Sequence, residues 1–453
     1  MPATKASRVR LSPDHLGIAR IDGPAAPGAL QTADELLQKN HDEWHMYFQD
    51  IAGHNHIPHS LLTVLAMGGG PEQLRRAYDD GEILQRPPPA LARESLDELR
   101  DPQVFLARMV KIPEYSNFLA LFEQEIEAKG WKAVINEYCF SGTVVAETLF
   151  AQLFEGLYHP LIHLAFGVEF EQPSIVAEGL AQAASHHPGL IWTPFFRRSE
   201  GLARSASVQP RPLIELYQAV RANDKIRGAA RLQDGPFRGQ GMVQRASDEL
   251  VAMAAQFQVT PDTLERATAE VLSCSAFTAA AQKPGKIPKV DFFYLHMVTS
   301  ALSVAVLLKQ DWISTANKVR LLEWKGRIDL TWYAANGAPE LRTEVVDEYV
   351  PTLSKAMGWA ELYRAANEVH DDGHIIKFIR AMKHGEGVLK SFGQGSGAGD
   401  FPIQGDRWLK LAQLCYDGTA NIIDGPNRLL SRKWVFGAGF DAAWKDVDDF
   451  GSE

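Results

Sequence analysis

Cysteine is scarce in this chain of 453 residues: Cys139, Cys274 and Cys415 are the three present. An odd, widely spaced set builds neither a disulfide framework nor a cysteine-based zinc site, and it fits a reduced, intracellular setting. Basic charge is also short. The 46 lysines and arginines are outnumbered by 56 acidic residues, leaving a formal charge of -10. No basic face is expected from that balance, which excludes nucleic acid as a partner. Lys5, Arg8 and Arg10 are not followed by the apolar run of a signal peptide, so a soluble, cytoplasmic protein is expected. The most apolar stretch, Phe292 to Leu308, carries His296, Thr299, Ser300 and Ser303. It reads as a buried core helix, and no membrane span is expected.

Several signatures are missing as well. Alternating β-branched runs joined by hairpin turns do not occur, and no period of twenty to fifty residues marks a solenoid. There is no Gly-x-Ser-x-Gly elbow and no phosphate-binding P-loop. Gly393 to Ala398 fits a loose dinucleotide fingerprint, but without a strand before it the stretch reads as a flexible loop. His41 and His45 stand four apart, as in zinc proteases. Asp42 occupies the place of the glutamate those enzymes need, and Glu43 comes one position late.

What is present is helix. Leu250, Met253, Ala254 and Phe257 lie on one stripe; Thr260 followed by Pro261 is a helix start, and Pro71 opens another over Glu72 to Tyr78. Gly17 to Gly28, Trp192 to Pro212 and Ser391 to Gly405 read as irregular. The middle one carries Arg197, Arg198 and Arg204 beside Phe195 and Phe196, as a solvated surface loop or a lid would. The expectation is an all-α fold: one large helical domain over residues 1–453, with two lobes as a variant, a loose N-terminal segment over about 1–28, and a site buried between helices.

Fourteen histidines are present, and eight fall in four places. In His54-Asn55-His56-Ile57-Pro58-His59, Pro58 belongs in a first helical turn, which turns His59 inward and leaves His56 just outside. Tyr158-His159-Pro160-Leu161-Ile162-His163 repeats that design, and His296 sits on an apolar helix. His370 and His374 flank Asp371-Asp372-Gly373, a helix end and restart, with Lys377 one turn beyond His374. An imidazole among apolar residues needs a hydrogen-bond partner or a metal, and four such places point to a shared metal site. Lys377 fits a metal site only as a neutral amine, or as a carbamate made with carbon dioxide, which would add an anionic oxygen. The plain alternative for it is a surface lysine paired with Asp372.

His54-Asn55-His56 with His59-Ser60-Leu61-Leu62, Tyr158 to His163, Phe292 to His296 and His374-Ile375-Ile376-Lys377 together resemble the questin oxidase-like family, and within it the fungal enzymes that cleave anthraquinones. The resemblance spans most of the chain. It implies an all-helical, non-haem iron(II) dioxygenase of fungal polyketide secondary metabolism. Such an enzyme opens the central ring of a reduced anthraquinone with molecular oxygen to a benzophenone-type product, and a separate reductase supplies the hydroquinone. It further implies four histidine ligands and a carboxylated lysine, carried to His59, His163, His296, His374 and Lys377; His56 stays open against His59, and His159 against His163. Trp44, Phe292 and Tyr294 are candidates for stacking on a flat substrate. An NADPH-dependent Baeyer-Villiger monooxygenase is the alternative within the same family.

Overall fold

The structure, a computed structural model, describes residues 4–51, 53–92, 96–187, 189–392, 401–422 and 432–449. Helix dominates, and no strand occurs among the described residues, so the fold is all-α. The Gly393 to Ala398 stretch lies outside the described residues. Two compact units emerge: Met1–Thr193 with Val306–Ser314 and His370–Lys377, and Pro194–Ala305 with Thr315–Val369 and Phe378–Glu453.

In the first unit the helices are α1 (Ala29–Glu43), α2 (Ile57–Ala66), α3 (Pro71–Glu82), α4 (Pro102–Arg108), α5 (Tyr115–Lys129), α6 (Trp131–Phe140), α7 (Val144–Gln152), α8 (Glu155–Glu169) and α9 (Pro173–Ser185). Their core is the stack of α8 on α9 and of α5 on α9. Glycine makes the first contact close: a Cβ on Gly179 would stand 2.7 Å from the Leu164 backbone nitrogen, and one on Gly167 would stand 2.6 Å from that of Val176. Any side chain at those positions would push the two backbones apart. Residues 4–28 form no helix, and they are tied down. Val9 N–H donates to Gln38 (2.9 Å), Leu11 N–H to Asp34 (2.7 Å) and Ile21 N–H to the Ala66 carbonyl (2.9 Å).

The remaining helices run α10 (Trp192–Ala203), α11 (Leu213–Ala222), α12 (Asp224–Ala229), α13 (Arg238–Arg245), α14 (Ser247–Ala254), α15 (Leu264–Phe277), α16 (Phe292–Leu308), α17 (Thr315–Ala335), α18 (Thr343–Asp347), α19 (Trp359–Asn367), α20 (His374–Leu389) and α21 (Arg407–Asp417). Helix α17 is the axis of the second unit, packed by α11, α13, α14 and α15. It is buried on every side from Trp324 to Ala335, so its charges are paired internally: Lys325 with Asp329 and Arg327 with Glu323, each four apart.

The irregular reading of Trp192 to Pro212 is corrected over Trp192–Ala203 by α10 and holds for the residues beyond it. Trp192, Phe195, Phe196 and Ser199 recur at helical spacing and are all buried, with Phe196 stacked on Trp324 at 4.1 Å. That apolar stripe outweighs the proline and arginines that suggested a loop, and Arg198 is simply a surface residue bonded to Ser247 and Asp248. The starts at Pro71 and Thr260 hold; the latter opens with a short 3-10 turn before α15. Helix α16 is buried, and no helix among the described residues is long and apolar enough to cross a membrane.

Candidate functional site

Three devices of local structure aim histidines into the first unit. Asn55 Oδ1 accepts from Ile57 N–H at 2.9 Å and Pro58 lies in the first turn, so α2 begins with His56 at its N-cap and His59 on its buried face. At the start of α8, Gly156, Leu157 and Tyr158 all take left-handed backbone before Pro160 restores the helix. That kink folds the Gly156 carbonyl back onto His159 Nδ1, at 2.5 Å. Ahead of α20, Gly373 has φ +92°, and a Cβ there would stand 2.1 Å from Ser60 Oγ, so the turn presses against α2. Asp371 caps α20 through Ile375 N–H (2.7 Å) and hangs by its own N–H from Asp80 of α3 (3.2 Å).

The result is a buried group of His56, His59, His159, His163, His374 and Lys377. His56, His159 and His374 form the tightest set, each offering a ligand atom within 4.8 Å of the others'. Asp372 accepts from two of them, His374 Nδ1 at 2.5 Å and His56 Nδ1 at 3.3 Å. Burial alone would raise its carboxyl, but His374 and His56 hold it well below the usual carboxylate range. A carbonyl and an ionised carboxylate only accept, so Nδ1 carries a proton on all three rings, and in the neutral imidazole Nε2 then bears the lone pair. His56 Nε2 and His159 Nε2 therefore face each other at 2.7 Å with no hydrogen of their own between them.

That arrangement leaves room for a cation between the two nitrogens. A shared proton is disfavoured, because burial and the nearby Lys377 charge push His56 down to about 3. A metal suits it: adjacent nitrogen ligands about 2.1 Å from one ion stand roughly 3 Å apart. Carboxylate or carbonyl tethers on the far side of each imidazole are the usual outer support of such ligands.

Beside this trio, His59 Nε2 lies 3.0 Å from His163 Nδ1, and Phe166 stacks on His59 with ring centres 5.2 Å apart. Burial first, then Lys377 and His163, hold His59 well below its ordinary value. His163 Nε2 donates to Glu178 Oε2 at 2.7 Å, so its Nδ1 bears the lone pair. Lys377 is no surface lysine: it is 3% exposed and its Nζ has no hydrogen-bond partner among the described residues. Burial lowers it to about 8, with Asp372 and Asp371 pulling the other way. A buried amine close to neutrality is nucleophilic, and an orphaned Nζ among imidazoles is what a carbamate would complete.

The structure thus brings together four of the five residues carried over, His59, His163, His374 and Lys377, along with both open alternatives, His56 and His159. His296 belongs to the second unit, where its Nδ1 donates to the Phe292 carbonyl at 2.7 Å and Nε2 is left as the basic nitrogen. His370 is outside the group, exposed and bonded to Asp80. Two stacking candidates serve as framework: Trp44 donates to Tyr78 OH and Tyr294 to the Tyr333 carbonyl.

Three participants escaped the sequence reading. Asp372 was visible two residues before His374 but looked like helix punctuation. Glu178, in the apolar run of α9, gave no signal. His186 Nε2 lies 2.9 Å from His54 Nε2, and His54 stacks on His159 at 3.9 Å, extending the group.

An all-helical protein with buried imidazoles tethered to converge defines a histidine-lined site whose residues could hold a metal ion. The particular family is shown by comparison: residues 53–382 match the questin oxidase-like family, and the chain belongs to it. It is 54% identical over 450 residues to the Baeyer-Villiger oxidase of Aspergillus sp. (strain MF297-2), covering 99% of this chain and 100% of that protein. It is 50% identical to the questin oxidase of Aspergillus terreus, covering 99% of each. A Baeyer-Villiger monooxygenase of Cryptosporiopsis sp. is 46% identical over 98% of this chain and 99% of its own. The relatives' names make this an oxidoreductase family.

Proposed function

We propose that the protein is an iron(II)-dependent dioxygenase of fungal secondary metabolism that cleaves the central ring of a reduced anthraquinone with molecular oxygen, giving a benzophenone-type product. One observation carries the reading: tethered imidazole lone pairs converge beside a buried, unpartnered lysine amine in a member of an oxidase family. His56, His159 and His374 would hold the ion through Nε2, with His59 and His163 as further imidazole donors. Bound iron supplies the one-electron chemistry that a singlet organic substrate needs to react with dioxygen.

The chain's own residues do the rest. Lys377 Nζ, as the neutral amine, adds to carbon dioxide and loses one proton, and the resulting carbamate offsets the charge of the ion among neutral imidazoles. Asp372 keeps two rings in one tautomer, and the Gly156 carbonyl keeps a third. His59 and His163 are fully buried, which keeps bulk water from that part of the group. A separate reductase would supply the hydroquinone.

The relatives' names favour a second reading, a Baeyer-Villiger oxygenation; on an anthraquinone it would consume NADPH. Isotopic dioxygen separates the two. Dioxygenation puts both labelled atoms into one product molecule, whereas monooxygenation puts in one, sends the other to water and oxidises NADPH. A single label with stoichiometric NADPH loss overturns the first reading, as does full activity in protein stripped of iron by a chelator.

A further inference from the structure

His41 was left over from a protease-like spacing that came to nothing, and the structure puts it to use. Its Nδ1 lies 2.7 Å from Glu178 Oε1 and its Nε2 lies 2.9 Å from Glu123 Oε1, so both ring nitrogens donate to carboxylates and the ring is an imidazolium. The second oxygen of Glu178 takes His163 Nε2 at 2.7 Å. A continuous chain therefore runs Glu123, His41, Glu178, His163, from α5 through α1 and α9 to α8. All four residues lie in the first unit. Glu178 is 1% exposed and both of its oxygens are engaged by imidazoles, whereas Glu123 reaches toward solvent.

We propose that Glu178 is a positioning residue of the histidine group, which locks His163 in the tautomer with the proton on Nε2 and so turns the Nδ1 lone pair toward His59. Three physical facts carry this. A carboxylate that accepts from two rings at once cannot rotate without losing one of them. The imidazolium of His41 is the counter-charge that lets an ionised carboxylate stay in a dry interior, where an unpaired charge would cost several kcal/mol. Finally, the glycine-mediated approach of α8 to α9 brings His163 and Glu178 together at 2.7 Å, so the pair is built into the backbone packing. The inference rests on the metal reading only for its affinity arm, because the tautomer of His163 is a property of the metal-free protein.

The test is long-range nitrogen-proton NMR of the metal-free protein labelled with 15N-histidine, combined with anaerobic titration by Fe(II) and by Zn(II). Wild type is expected to show His163 protonated on Nε2 alone. In Glu178→Gln one amide oxygen replaces two carboxylate acceptors, so His163 is expected to populate both tautomers and metal affinity to fall by about 10–100-fold. His41→Gln removes the counter-charge but still donates to Glu178, and His163 keeps its bond to the other oxygen, so a smaller affinity loss than in Glu178→Gln is expected although the protein melts lower. Should Glu178→Gln not fold, Glu178→Asp, which keeps the charge but draws the oxygens back by one methylene, carries the same spectrum. A single Nε2-protonated tautomer persisting in the Glu178 variant overturns the proposal. So does an affinity loss in His41→Gln equal to that in Glu178→Gln, which would mark a purely structural role. If wild type binds neither metal, the metal reading fails while the tautomer spectrum still decides this one.

Discussion

Asp372 holds His56 and His374 at once, one imidazole on each carboxylate oxygen, although its partners lie at the start of α2 and the start of α20. The shared carboxylate is what makes two distant histidines point the same nitrogen inward. Asp372→Asn keeps the shape but offers a single acceptor oxygen, so one ring loses its tether. Fe(II) affinity measured by anaerobic titration should drop by about 10–100-fold with little loss of helix signal. An unchanged affinity would show that the rings need no such support.

Lys377 should be found as a carbamate when metal is present. Protein reconstituted with Fe(II)-mimicking Zn(II) and 13C-bicarbonate is expected to give a carbamate carbon resonance that Lys377→Arg lacks. Activity of wild type prepared free of carbon dioxide should recover on adding bicarbonate. Full activity of Lys377→Met would remove the lysine from the chemistry.

Gly373 should tolerate no side chain. Gly373→Ala forces an L-residue to φ +92° and drives its Cβ into Ser60 Oγ, at a cost of about 1–3 kcal/mol in chemical unfolding. Adding Ser60→Ala removes the nearest atom but not the backbone strain, so the double variant should regain only part of the loss. Complete recovery would mean that the clash, and not the left-handed turn, set the cost.

Stability should depend on pH through His41 and Glu178. Burial pushes His41 down, but the bonds to Glu123 and Glu178 overcome it and raise the ring from 6.5 to about 10. Its contribution is therefore whole below pH 6.5 and lost as pH climbs through about 10. Burial likewise pushes Glu178 up, but His163 and His41 bring it from 4.5 to about 2, so its contribution is whole above pH 4.5 and lost as pH falls toward 2. The difference in unfolding free energy between wild type and His41→Gln should be largest between pH 4.5 and 6.5 and shrink toward pH 10. A difference that grows as pH rises above 6.5 would contradict the paired assignment.

In the second unit, Lys325 and Asp329 are both fully buried on α17, and Ser275 Oγ donates to the same carboxylate oxygen at 3.0 Å. Lys325→Met leaves that carboxylate without its cation and should cost about 3–5 kcal/mol. Lys325→Met with Asp329→Leu removes both charges and should recover most of it. Equal losses in the single and double variants would show that packing, not charge, is at stake.

Much of this was readable along the chain. Proline placement located the starts of α2, α3 and α15, and the restart before His374 located α20, because capping and backbone restriction act within a turn. Even α10 was written in the spacing of Trp192, Phe195 and Phe196, although proline and arginine hid it. The histidines were visible as an inventory, and so was the single turn separating His374 from Lys377. Which histidine meets which was not visible: His56 and His159 are 103 residues apart, and the burial of Lys377 carried no local mark. Glu178 carried no local mark at all, since its role exists only where α8 and α9 touch. Local sequence determines helices because their hydrogen bonds and caps are satisfied within a few residues. The pairing of imidazole nitrogens with distant carboxylates, and with it each ring's tautomer and the removal of Lys377 from water, was decided by tertiary packing alone.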